Sequence, residues 1–172
     1  MNRLAPKEWG LVAAAGALLA DQASKLLILY GLGFHARGDH TSVAVLPFFN
    51  LTMDQNSGIS FGVFAGHGAL GTAVLVALSL AAIVGMSWWL WNTNRLGLCV
   101  GLGLIVGGAL GNLIDRVIYG WVADFFDFHA GGYHWYVFNL ADCAITLGVA
   151  ALVYDAFFRP DTGEAANPGA ES

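Results

Sequence analysis

Apolar residues along this chain gather into four long runs, approximately residues 9–32, 68–91, 96–118 and 138–158. Each reaches the roughly 20 residues that a helix needs to cross a hydrocarbon core. The first is too long and too interrupted by polar residues for a cleaved signal peptide, and no small-residue cleavage site follows it, so it is expected to remain as a span. Two connecting stretches have a different rhythm. Residues 33–67 include "TSVAVLPFFNLTMDQNSGISFGVF", a strand-like run, then Pro47, a second run through "FFNLTM" and a turn at "QNSG". Residues 119–137 supply most of "WVADFFDFHAGGYHWYVF", which reads as two aromatic strands about the turn "AGG". Plain loops would be more polar, so both are expected to lie on the membrane surface as a small sheet. The pattern predicts an all-α membrane protein: a four-transmembrane-helix bundle with a small β-sheet cradle and an extra hairpin or amphipathic segment. Residues 1–160 form its single domain, and residues 161–172 a disordered tail.

Composition strengthens this picture. The chain is 57% hydrophobic and 11% charged, with a mean hydropathy of +0.63, whereas soluble domains carry roughly 25% charged residues. The basic residues orient the spans. Arg3 and Lys7 precede the first, Arg95 lies in the turn "WNTNRLG", and Arg159 follows the last. The positive-inside rule then places both termini and that turn in the cytoplasm, with Arg37 the exception. Trp9, Trp88, Trp89 and Trp91 fall at the inner interface. The net charge of −5 owes much to the tail "RPDTGEAANPGAES", and without a basic patch no nucleic-acid partner is expected. Cys99 and Cys143 lie in different spans and read as small core residues. His35, His40, His67, His129 and His134 show no ligand spacing, so no metal is expected.

The polar residues inside the spans carry the functional signal, because ionisable groups there are costly. In "DQASK", Asp21 and Lys25 are i and i+4, beyond the midpoint of an outward-running span. In "GGALGNLIDR", Gly108, Asn112, Asp115 and Arg116 share one face of the last turns of the third span. In "FNLAD", Asn139 and Asp142 open the fourth. The second contributes none. All fall in the outer third of the membrane, which argues for a site rather than a conduit, and the simplest arrangement turns the three polar faces toward one another. Plainer readings stand beside this one: Asp21 and Lys25 as an intrahelical ion pair, Asp115 and Arg116 as a cap, Asn112 as an interhelical hydrogen bond. Asp142 has no basic neighbour on its own helix. Two carboxylates brought together cannot both ionise, and a proton shared between two acids is how aspartic proteases activate water. Asp124, Asp127 and Asp54 are the candidate partners, and spacing does not choose among them, although "DQNSG" reads more naturally as turn chemistry.

In order, "DQASK", "NSGISFG", "GGALGNLIDR", "VADF" and "FNLAD" on a four-span chain resemble bacterial lipoprotein signal peptidase (signal peptidase II), a family of aspartyl peptidases. The resemblance runs from the first span to the fourth. It implies an aspartic endopeptidase, without a cofactor, that removes the signal peptide from diacylglyceryl-modified prolipoproteins just before the lipidated cysteine. It further implies a multi-pass protein of the bacterial inner membrane, in contact with membrane lipid, monomeric, with its active site near the periplasmic face and open to the cyclic peptide inhibitor globomycin. By position, the resemblance makes Asp124 and Asp142 the catalytic pair. Asn56, Gly58, Gly108, Asn112, Arg116 and Asn139 correspond to residues that support or contact substrate. Asp21, Lys25 and Asp115 correspond to structural polar groups, and Asp127 becomes a supporting or surface acid. Departures are slight: Ser60 stands where the family has alanine or serine, and Ala123 lies between the motif valine and Asp124. A proton-coupled transporter using the same acids is the alternative, but it predicts polar groups at several depths and internal symmetry, and the sequence has neither.

Overall fold

The computed structural model describes residues 4–58 and 68–158. Its elements, in chain order, are α1 (Pro6–Leu26, continued by a π-helical turn, Leu27–Gly31), α2 (Phe34–Arg37), β1 (Ser42–Leu46) and β2 (Phe49–Asn56). They are followed by α3 (Gly68–Asn92), α4 (Leu96–Tyr119), β3 (Val122–Ala130), β4 (Tyr133–His134) and α5 (Leu140–Phe158). Helices α1, α3, α4 and α5 are each long and apolar enough to cross a membrane.

One helix is central. In α4, 61% of the apolar stretch is buried inside the protein, against 17%, 11% and 22% for α1, α3 and α5. Glycine explains how the others come so close. A Cβ on Gly103 would meet the carbonyl oxygen of Gly10 on α1, and one on Gly108 would meet that of Ala141 on α5. Small residues let helix backbones approach in lipid, where no hydrophobic effect draws helices together. Gly103→Ala is therefore expected to force α1 and α4 apart and cost about 1–3 kcal/mol. Gly16→Ala, with nothing within 4 Å of the added methyl, should leave stability unchanged. Thermal unfolding of the purified variants in detergent checks the pair.

The sheet caps one end of the bundle. It is antiparallel, in the order β1-β2-β3-β4. Ala123 and Phe125 pack with Ile28, Leu29, Phe34 and Met53 in an apolar cluster beneath the sheet. Strand alternation then gives Asp124 the opposite face. In β2 the pairing runs Leu51↔Phe126 and then Asp54↔Asp124, so β2 carries one extra residue there. Such a bulge switches the alternation of the bulged strand. It brings Asp54 and Asn56 onto the face of Asp124. Finally, Phe138 exchanges backbone bonds with Phe126 (2.8 and 3.2 Å), which ties β3 to the residue before Asn139.

Two expectations need correction. Asp54 lies in β2 rather than in a turn, because β2 extends through Asn56. Cys143 is half-buried and lines a cleft instead of filling the core, because α5 leaves that side open. Cys99 is fully buried. Ser60, His67 and the tail lie outside the described residues.

Candidate active site

The start of α5 positions Asp142. Asn139 precedes the first helical residue, and Asp142 is the third in the helix. The Asn139 side-chain oxygen accepts the Asp142 amide (3.0 Å), and Asp142 Oδ2 accepts the Asn139 amide (3.2 Å). This reciprocal capping box satisfies two amides that the helix leaves unpaired. It also holds the Asp142 carboxylate at a helix N-terminus, where the backbone dipoles favour negative charge. Asp142 Oδ1 accepts from Asn112 Nδ2 at 2.9 Å.

Asn139 also reaches the second acid. Its Nδ2 donates to Asp124 Oδ1 at 2.6 Å, while Asn56 Nδ2 donates to Asp124 Oδ2 at 2.9 Å. Asn56 is itself held by the Gly58 amide (3.0 Å) and the Tyr136 hydroxyl (2.7 Å). Asp124 is 1% exposed. Burial, and then the charge of Asp142, push its carboxyl from the ordinary 3.8 up to about 8. A buried acid raised this far keeps its own proton near neutral pH.

The polar faces of α1, α4 and α5 do turn toward one another. The Lys25 ammonium contacts Asp21 Oδ2 (2.9 Å), Asp115 Oδ2 (2.8 Å) and Asn112 Oδ1 (3.1 Å). The intrahelical pair of Asp21 and Lys25 thus exists, extended by a partner from α4. Asp115 is not a cap with Arg116; it points inward to Lys25 and accepts the Ala123 amide at 3.1 Å. Arg116 donates to the carbonyls of Asn112 and Gly58, both at 3.4 Å. Gly108 supplies the close contact between α4 and α5 described above.

A cleft of about 710 Å³ opens beside Asp142, walled by Trp135, Tyr136, Phe138, Cys143 and Leu147. Its largely aromatic and aliphatic wall suits an apolar ligand. Asp127 belongs elsewhere. Three residues after Asp124, it takes the other face of β3, where it is 3% exposed and bonded to His134 Nδ1 (2.8 Å) and Thr52 (2.9 Å). It is therefore not a surface acid. Burial alone would raise its carboxyl, but the bonds from His134 and Thr52 outweigh it and lower the pKa. Among the described residues, no group of three or more His, Cys, Asp or Glu is arranged to hold a metal. Sequence reasoning missed two residues. Gln22 donates to Asp21, Asp115 and the Gly111 carbonyl, and its place inside "DQASK" was the available signal. Tyr136, on the Asn56 amide, gave none beyond its aromatic neighbours.

Comparison with known proteins identifies the family. Residues 13–158 match the family model described as Signal peptidase (SPase) II. The chain belongs to the signal peptidase II family. It is 47% identical over 161 residues to the lipoprotein signal peptidase of Beijerinckia indica subsp. indica, covering 93% of this chain and 94% of that one. It is 46% identical over 166 residues to the lipoprotein signal peptidase of Nitrobacter hamburgensis, covering 94% and 99%. Among solved structures, a bacterial membrane enzyme determined by the in meso method at 1.9 Å resolution superposes with a TM-score of 0.73 at 27% identity, over 87% of this chain and 93% of that one. Family membership and the four apolar helices make this chain a multi-pass membrane peptidase of lipoprotein processing.

Proposed function

We propose that this signal peptidase II member is an aspartic endopeptidase whose Asp124 and Asp142 activate water to cut diacylglyceryl-modified prolipoproteins just before the lipidated cysteine. One observation carries the reading most: Asn139 donates to Asp124 while its amide and side-chain oxygen hold Asp142, so acids from β3 and α5 meet at a single residue. Asp124, with its raised carboxyl, holds the proton at neutral pH. The Asp142 carboxylate takes a proton from water as the oxygen attacks the peptide carbonyl carbon. Asp124 donates its proton to the carbonyl oxygen, giving a neutral tetrahedral intermediate. Proton return to the nitrogen then releases the amine as the C–N bond breaks. Arg116 and Asn112 orient the peptide backbone, and the apolar cleft beside Asp142 accepts the flanking apolar part of the substrate. The lipid anchor of the substrate brings the scissile bond to the membrane surface.

In this reading residues 1–160 form one peptidase domain in the bacterial inner membrane. Both termini and the α3–α4 turn are cytoplasmic, by the positive-inside rule. The sheet and the aspartates then lie at the periplasmic face. The enzyme works as a monomer, and globomycin competes for the cleft. The test is to incubate the purified protein with lipidated and unlipidated forms of one prolipoprotein. Cleavage of the lipidated form alone, at the bond before the modified cysteine and blocked by globomycin, is the expected result. Equal cleavage of both forms, or of neither, would overturn the assignment.

A further inference from the structure

Lys25 is 2% exposed, yet it lies outside the catalytic chemistry proposed above. All three of its ammonium contacts lead to the two aspartates by short routes. Through Asp21, whose Oδ1 accepts the Ala141 amide at 3.0 Å, it reaches the residue just before Asp142. Through Asp115, whose Oδ2 accepts the Ala123 amide at 3.1 Å, it reaches the residue just before Asp124. Through Asn112, whose Nδ2 donates to Asp142 Oδ1 at 2.9 Å, it reaches the Asp142 carboxylate directly. The three routes use α1, α4, β3 and α5, so the ammonium ties together four separate elements.

The ion group therefore differs from ordinary glue between helices. A carboxylate placed only to neutralise a buried lysine has no need of a backbone amide on a further element. Here both carboxylates take one, and each amide lies one residue before a candidate catalytic acid. Burial makes the arrangement stiff, because moving any member leaves a charged group without its partner in a medium of low dielectric constant.

We propose that Lys25 is a positioning residue that sets the separation of Asp124 and Asp142. Its ammonium draws Asp21 and Asp115 together, and they in turn hold the amides of Ala141 and Ala123. The proposal rests on the reading of Asp124 and Asp142 as the reacting pair. Neither Lys25, Asp21 nor Asp115 touches substrate. Loss of the ammonium lets Asp21 and Asp115 repel, and the start of α5 then moves relative to β3.

The test compares Lys25→Met with the double variant Lys25→Met/Asp115→Asn, in purified full-length protein and with a lipidated prolipoprotein. In the double variant the repulsion is gone, and the carboxamide that replaces the Asp115 carboxylate keeps an oxygen to accept the Ala123 amide. Expected for Lys25→Met is a fall in kcat of about 100-fold with KM within threefold of the parent. The double variant is expected to regain at least tenfold of that loss while staying below the parent. A folded Lys25→Met protein with parental kcat, a loss confined to KM, or a double variant with parental kcat would each overturn the proposal. A loss of activity matched by the loss of folded protein would overturn it as well. Asp124→Asn and Asp142→Asn, assayed in parallel, separate the two claims. Activity in those variants sinks the aspartate reading, whereas their inactivity beside a parental Lys25→Met sinks only the positioning role.

Discussion

Asp124→Asn and Asp142→Asn are each expected to lower the cleavage rate by about 1,000- to 10,000-fold or more, while the protein stays folded. In the proposed mechanism the two acids work as a unit, since one takes the proton from water while the other gives a proton to the carbonyl oxygen. Removing either ends both halves of the step, so the double variant should be no worse than either single one. Asn is nearly isosteric with Asp, and at position 142 its side-chain oxygen still accepts the Asn139 amide, so the cap at the start of α5 survives. Single-turnover cleavage of a lipidated prolipoprotein measures the loss. A folded single variant retaining a tenth of the parental rate would refute the paired-acid mechanism.

The same chemistry fixes a pH dependence. In the proposed mechanism Asp124 must carry a proton to serve the carbonyl oxygen, and burial pushes its carboxyl up to about 8. The rate is therefore expected to fall as pH rises through about 8. Stability follows the same sign. Below the ordinary value of 3.8 the folded and unfolded chains are both protonated at this position, and the group contributes nothing differential. Between there and about 8 the folded chain keeps a proton that the unfolded chain has released, so the contribution to stability declines as pH rises. Asp124→Asn removes that slope, which thermal unfolding across the range would register.

The second large effect is expected at Asn139. Asn139→Ala removes the 2.6 Å bond to Asp124, the 3.1 Å bond to Asn112 and the acceptor for the Asp142 amide. Loss of the cap alone costs about 0.5–2 kcal/mol, and each buried partner left unpaired adds about 1–3 kcal/mol. The expected result is a clear drop in unfolding temperature and a rate reduced by about 100-fold or more. Asn139→Asp separates these two effects. It keeps the cap acceptor and the helix start, yet it replaces the donor to Asp124 with a third carboxyl. Stability should recover in part, and activity should not. Parental activity in Asn139→Asp would mean that Asn139 serves only to begin the helix.

Local patterns in the chain were enough for the helices and their polar faces. Runs of about 20 apolar residues mark spans because length against the bilayer is a one-dimensional property. Asp21 with Lys25, and Asn112 with Asp115, share faces because helix periodicity is equally local. The motif "FNLAD" contained the capping box in full, since both partners lie within one turn. The family resemblance added the choice of Asp124, which no spacing rule supplied.

Only the tertiary structure explains why Asp124, rather than Asp127, lies beside Asp142. Alternation in β3 separates Asp124 from Asp127, but which face meets the helices depends on the apolar cluster that receives Ala123 and Phe125. The extra residue in β2 decides that Asn56 reaches Asp124, and such a bulge shows only once two strands are paired. Phe138 and Phe126 join β3 to α5, and the Lys25 group joins both to α1 and α4. Apart from the intrahelical Lys25–Asp21 pair, these contacts join different elements, and their partners are chosen by the packed geometry of the whole bundle. The sequence alone determined four spans and a polar level near one end. The fold decided which two acids on that level meet at Asn139, because proximity across elements is a property of packing.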